Sequence, residues 1–157
     1  EDWNLDIVGD GPERDYLTKL SRDKAISHLV NFHGSKQRNQ IKDFYSQAEL
    51  FILPSKTTSL GEKEGLGLVV LEAMMAGVPV IGTDCGGIRE TIVNGRTGII
   101  IPENDVDALH HAMADLLNDP KQRIELINNA HSAIDKRYST KSLAITMKKW
   151  YGVVDGD

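Results

Sequence analysis

Glu64-Gly65-Leu66-Gly67-Leu68-Val69-Val70-Leu71-Glu72-Ala73-Met74-Met75-Ala76-Gly77-Val78-Pro79-Val80-Ile81 is the stretch whose reading decides the fold. Val69 and Val70 would suit a strand. Length, the run Glu72 to Ala76 and the stop signal Gly77-Val78-Pro79 predict a helix from Gly67 to Ala76 instead. An apolar strand, Leu50–Leu53, precedes it and another, Val78–Gly82, follows at once. Strand, helix and strand in that order build a parallel sheet.

The same alternation extends outward. Strands are expected at Leu5–Val8, Leu29–His33 and Thr97–Ile101 as well, all nearly continuous in apolar character, as for strands covered on both faces. Ile41, Phe44, Tyr45 and Ala48 share one helical face. Val106, Leu109, Met113, Leu116 and Leu117 do the same behind an Asn104 cap. Asp119-Pro120-Lys121-Gln122 reads as an N-cap, a proline at N1 and a glutamine at N3, close to a capping box. Ser139 is read as the cap of a last helix that buries Leu143, Met147 and Trp150. The polar loop Ser55–Lys63 is the only linker-like stretch. The expected fold class is α/β, in one domain over residues 1–157.

Composition excludes several functions. The formal net charge is −5 with no basic stripe, which speaks against nucleic acid. A single cysteine, Cys85, excludes an internal disulfide and a Cys-rich zinc site, and fits a reducing compartment. No apolar run reaches the roughly 18 residues of a membrane span. No stretch reads as a signal peptide. The chain starts at Glu1 and enters a strand almost at once, so it is expected to be part of something longer.

The predicted helix after Gly67 is apolar nearly all round and should be buried. Glu72 is its one charge. A buried carboxylate is costly without partners. It either bonds a neighbouring Lys, Arg or backbone N–H, or opens onto a cleft and accepts hydrogen bonds from a ligand's vicinal hydroxyls. The pattern alone leaves both open. Gly65 and Gly67 permit close backbone approach. The helix start offers the N–H groups of Leu68 and Val69 beside the positive end of its dipole, a ready anion site. Glu64, ahead of the turn, can accept from a hydroxyl on whatever hangs from that anion.

Taken together, several segments resemble the signature of group 1 retaining glycosyltransferases. They are Pro54-Ser55, Glu64 through Ile81, Gly86-Gly87-Ile88-Arg89-Glu90, Asn94-Gly95-Arg96-Thr97-Gly98-Ile99-Ile100 and Ile7-Val8-Gly9-Asp10-Gly11-Pro12-Glu13. The resemblance covers almost the whole chain, with seven residues between Glu64 and Glu72 as in the family. It implies the GT-B architecture of two Rossmann-like domains, this chain being the C-terminal, nucleotide-sugar-binding half. It implies that Glu64 is the catalytic-centre acid and holds the donor sugar's hydroxyls. Glu72 would hold the ribose hydroxyls. Backbone of Gly65, Leu66, Gly67, Leu68 and Val69 would hold sugar and diphosphate. The base would be read by the loop Gly34-Ser35-Lys36-Gln37-Arg38, with Lys36 and Arg38 as contacts. The insert Thr57–Lys63 is similar to that of members using GDP-mannose.

The resemblance further implies a UDP- or GDP-sugar donor, no cofactor and no metal. The acceptor would be a growing polysaccharide or glycolipid, bound by an N-terminal acceptor domain. The location implied is cytoplasmic, with peripheral attachment at the inner membrane face through that domain. Transfer would retain anomeric configuration by front-face substitution, with Glu64 orienting the sugar and not attacking it. Members carry one more strand before Leu5, ending in a Gly-Arg pair with a lysine beyond. That strand is central in the order 3-2-1-4-5-6. The isolated chain is therefore expected to bind nucleotide weakly and to transfer nothing.

Competing readings are a non-catalytic nucleotide-sugar-binding module and, last, a dinucleotide oxidoreductase. The oxidoreductase would need an acid at the end of the second strand, where Phe32-His33-Gly34 stands. Gly9-Asp10-Gly11-Pro12 lacks the third glycine of a dinucleotide fingerprint, and Pro12 suits N1 of a helix. His28, His33, His110, His111 and His131 show no metal-ligand spacing. His33 is expected to be structural, and Cys85 has no histidine partner to make it a nucleophile.

Overall fold

The computed structural model describes residues 3–58, 61 and 67–138. The chain divides into two compact units, Glu1–Phe44 and Tyr45–Asp157. Both are α/β, with parallel strands flanked by helices.

In the first unit β1 (Leu5–Val8) and β2 (Val30–Gly34) pair in parallel, joined by α1 (Arg14–Asp23). The register sets Leu5 against Val30 and Ile7 against Phe32, with a shift before Val8 pairs with Gly34. Asp10 ties the turn after β1. One carboxylate oxygen accepts the Gly11 N–H at 3.0 Å and the other accepts from Arg14 at 3.2 Å. The helix begins at Arg14 with Glu13 as its N-cap residue, so Pro12 stands ahead of N1 rather than in it. Its other end closes in a Schellman motif. Ala25 N–H donates to Arg22 and Ile26 N–H to Ser21, with Ala25 in the left-handed region at φ +57°.

α2 (Arg38–Gln47) carries the chain into the second unit. There β3 (Phe51–Leu53), β4 (Val80–Thr83) and β5 (Ile99–Ile101) form a parallel sheet in the order β3-β4-β5. Crossovers run through α3 (Leu68–Met75) and α4 (Ile88–Thr91), and α5 (Val106–Asn118) and α6 (Pro120–Tyr138) follow. Ile81 and Ile101 of the sheet pack with Ala112 and Leu116 of α5 and Leu126 of α6 in the main core. α3 and α4 pack against the sheet as well, and Gly82 of β4 lies so close to Ile88 that a Cβ there would stand 2.6 Å from its side chain.

All five expected strands are present, and their ends move for identifiable reasons. Val78 was expected in β4, but its N–H donates to Ala73 and Gly77 N–H to Met74, closing α3 in a second Schellman motif with Gly77 at φ +78°. Thr97 was expected in β5. Its hydroxyl instead accepts the Val93 N–H at 2.9 Å while its own N–H donates back to Val93, so it closes the turn before the strand.

The expected Asn104 cap is corrected to Asp105, whose carboxylate accepts the Ala108 N–H at 2.8 Å. Asn104 adopts φ +59° and turns the chain into it. Asp119 does cap α6, accepting the N–H groups of Lys121 and Gln122 at 3.0 Å. The reciprocal arm of a capping box has no work, because Asp119's own N–H donates to Asp115. Arg123 donates to the last carbonyls of α5, at Leu116 and Leu117, and so joins the two helices. The helix expected after Ser139 lies outside the described residues. No helix among the described residues is long and apolar enough to cross a membrane.

Candidate functional site

Parallel α/β sheets place the loops that follow their strands at one end, where ligands of such folds bind. In the second unit that end gathers the loop from 54 to 58 after β3, the turn Asp84–Gly87 after β4 and Pro102–Asp105 after β5. Asp84 N–H donates to Ile101 and Cys85 N–H to Thr83, so the turn after β4 is anchored at its root. Arg89 donates to both carboxylate oxygens of Asp84. That hydrogen bond first, and the carboxylate's charge second, hold the guanidinium above its ordinary pKa.

α3 starts at this end. Its N-cap residue, Gly67, has φ +58° and ψ +39°, a left-handed conformation that favours glycine. A Cβ at Gly67 would sit 3.7 Å from Ile88, so the glycine turn and the Gly86-Gly87-Ile88 turn touch. Gly67's carbonyl accepts from Val70 at 2.8 Å, starting the helix. Leu68 and Val69 are the first helical residues, so their N–H groups have no acceptor within the helix.

The expectation that α3 is buried nearly all round is corrected. Val70, Ala73 and Met74 face the core, whereas Leu68 is 62% and Met75 66% exposed. Leu68, Glu72 and Met75 lie four and three residues apart and so share one stripe. Glu72 is half-buried in the middle of that exposed stripe.

Tyr45, from the last turns of α2, is only 9% exposed and donates its hydroxyl to the Val69 carbonyl at 3.2 Å. Its ring meets Phe51 edge-on, with centroids 5.8 Å apart. Burial first, and the negative charge of Glu72 second, push the phenol up to about 12. Tyr45 thus ties the start of α3 to the sheet and feels the Glu72 carboxylate. At the other end of α3, His131 of α6 donates Nε2–H to the Met74 carbonyl at 2.9 Å. That bond requires the proton on Nε2, since a carbonyl only accepts.

Of the residues singled out from sequence, Gly67, Leu68, Val69 and Glu72 come together on the first two turns of α3. Glu64, Gly65 and Leu66 lie outside the described residues. Lys36 and Arg38 belong to the first unit, in the loop after β2 and at the start of α2. His33 meets the structural expectation: its Nε2 is 2.6 Å from Asp6, which also accepts from Asn31, and its ring packs edge-on against Phe44. His110 and His111 are exposed on α5, and Cys85 is fully buried. Sequence reasoning missed Tyr45, which it used only as a core residue, and the pair Thr57 and Glu103, whose carboxylate accepts the Thr57 N–H at 2.6 Å and the Thr57 hydroxyl at 2.8 Å. Nothing in the pattern around Glu103 distinguishes it from a solvated loop acid.

A family model described as "Glycosyl transferases group 1" matches residues 1–133. A GDP-mannose-dependent alpha-(1-6)-phosphatidylinositol monomannoside mannosyltransferase from Mycolicibacterium smegmatis is 35% identical over 85% of this chain and 36% of its own length. Sucrose-phosphate synthase from Thermosynechococcus elongatus superposes with a TM-score of 0.77 at 28% identity, over 95% of this chain and 38% of that one. The fold is also similar to that of Anabaena Alr3699/HepE in complex with UDP, with a TM-score of 0.77 at 20% identity, over 97% of this chain and 41% of that one. The chain thus spans about a third of the length of the curated relatives it matches.

Proposed function

The chain belongs to the group 1 glycosyl transferases, and from that premise we propose that it is the donor-binding half of a retaining glycosyltransferase. Its substrate is a nucleoside-diphosphate sugar. The observation that carries this reading is α3: a glycine-started helix at the carboxyl end of a parallel sheet, with one half-buried carboxylate a turn above its N-terminus. The first amides and the helix dipole suit a diphosphate. Glu72 suits the vicinal hydroxyls of the ribose. Glu64 orients the sugar, and Gly65 and Leu66 bring backbone to it. Lys36 and Arg38 serve the base. The departing diphosphate is stabilised by amides and basic side chains, without a metal.

GDP-mannose is the first donor to test, since the mycobacterial relative is named as dependent on it; UDP-sugars come second. The acceptor is a glycolipid or polysaccharide, taken up by an acceptor domain. The site of action is cytoplasmic, where nucleotide sugars are found, with peripheral attachment at the inner membrane face.

The test is calorimetric titration of GDP, UDP and their sugars, with a transfer assay in the full-length protein that carries this chain. Glu72→Gln weakens nucleotide binding by tenfold or more, on the scale of a lost hydrogen bond to a charged group, about 1.5–3 kcal/mol. Glu64→Gln lowers transfer on the order of a hundredfold and changes nucleotide affinity little. Wild-type binding without transfer would sink the enzymatic reading in favour of a binding module. No binding at all would sink both.

A further inference from the structure

Side chains of two other helices grip α3 by its backbone. Near its start, the Tyr45 hydroxyl donates to the Val69 carbonyl at 3.2 Å. Near its end, His131 Nε2–H of α6 donates to the Met74 carbonyl at 2.9 Å. That carbonyl also accepts the Gly77 N–H at 3.0 Å, and its second lone pair serves His131. Tyr45 is itself seated edge-on against Phe51 of β3, and α6 packs against α3. Both bonds therefore hold the helix itself, from supports that belong to the rest of the unit.

The two grips stand on different sides of the helix. From Val69 to Met74 an α-helix turns through about 500°, which leaves them about 140° apart around the axis. Glu72 lies between them along the chain, about 60° around from Val69 and about 160° from Met74. Its charge is felt at the Tyr45 phenol, second to burial. The inward face of Val70, Ala73 and Met74 sets the depth of α3 in the core. Apolar burial has no direction, whereas hydrogen bonds do. A helix bonded on two sides cannot roll about its axis without losing one of them.

We propose that Tyr45 and His131 are positioning residues for the nucleotide: by fixing the roll of α3 they fix the direction of the Glu72 carboxylate. This role rests on the reading of Glu72 as the acid that holds the ribose hydroxyls. Neither residue touches the nucleotide in this account. A roll moves the Glu72 carboxylate, which stands out from the axis, further than the Leu68 and Val69 amides close to it. Loss of the grips should therefore weaken the hold on the ribose and spare the hold on the diphosphate.

The experiment uses the full-length protein that carries this chain, with Tyr45→Phe, His131→Ala, the two combined, His131→Gln and Glu72→Gln. Affinities for GDP, UDP and their 2′-deoxy forms are measured by calorimetry. The readout is the preference for ribose over deoxyribose, which Glu72→Gln abolishes. Each single loss of a grip lowers that preference about threefold, on the scale of one net hydrogen bond, and the combined variant lowers it about tenfold. Affinity for the 2′-deoxy nucleotide stays within about twofold throughout. His131→Gln, which keeps an N–H donor in place of Nε2, restores the wild-type preference.

An unchanged preference in the combined variant, with the preference lost in Glu72→Gln, overturns the positioning role while the functional reading stands. Equal losses for ribose and deoxyribose forms also overturn it, since they mark general destabilisation. If Glu72→Gln keeps the wild-type preference, or the wild type binds no nucleotide, the reading of Glu72 fails and the positioning role falls with it.

Discussion

Tyr45→Phe removes one oxygen from a site where structure and charge meet. Below pH 10 the loss is that of a neutral hydrogen bond, Tyr45 hydroxyl to Val69 carbonyl at 3.2 Å. The Val69 carbonyl remains placed for the helical N–H four residues on, so no buried acceptor is stranded. The cost is then a net bond, at most about 1 kcal/mol, or about 2–4 °C in Tm.

Above pH 10 the sign turns. The fold pushes the phenol from 10.0 up to about 12, through burial first and the charge of Glu72 second. The unfolded chain therefore releases this proton at lower pH than the folded one. Stability that depends on neutral Tyr45 is complete below pH 10 and is lost as pH rises from 10 through 12. The phenylalanine variant lacks that loss. Urea unfolding at about pH 8 and about pH 11, with ultraviolet titration of tyrosinate, follows both effects. Wild type should be the more stable at the lower pH, and the gap should shrink or invert at the higher. Glu72→Gln should let Tyr45 ionise earlier. Parallel pH dependence in wild type and Tyr45→Phe would refute the argument.

Ala25 occupies a left-handed C′ position where glycine is the usual residue. Ala25→Gly should therefore stabilise, by about 0.5–1 kcal/mol after the entropy of glycine is subtracted; a lower urea midpoint for the variant would contradict this. Asp119→Ala strips the acceptor from two N–H groups at the start of α6. It should cost about 1–2 kcal/mol, read as a lower Tm, and a Tm equal to wild type would show that the cap carries no stability.

The two Schellman motifs mark how far the fold could be read from sequence. At Gly77 the residue type announces the turn, and the helix expected from Gly67 to Ala76 ends within a residue of that prediction. At Ala25 the backbone makes the same turn with no glycine to announce it. Strand existence was legible because apolar β-branched runs leave few alternatives. Strand ends were not, because Val78 and Thr97 have strand-forming side chains yet spend their hydrogen bonds on a helix end and a turn. At the site, Gly67, Leu68, Val69 and Glu72 were legible because a glycine-started helix has fixed spacing. The bonds of Glu103 to Thr57 were not, since they depend on a loop 46 residues earlier reaching across the sheet.

The exposure of α3 alters the weight of its carboxylate. A helix apolar nearly all round suggested burial, and a fully buried Glu72 would have to be neutral or fully paired. The observed helix puts only Val70, Ala73 and Met74 inward and leaves Leu68 and Met75 open on either side of Glu72. The negative charge of Glu72 in the middle of that stripe is the second cause, after burial, of the raised Tyr45 phenol. The failure of the burial expectation thus removes the demand that Glu72 be neutral or fully paired within the core.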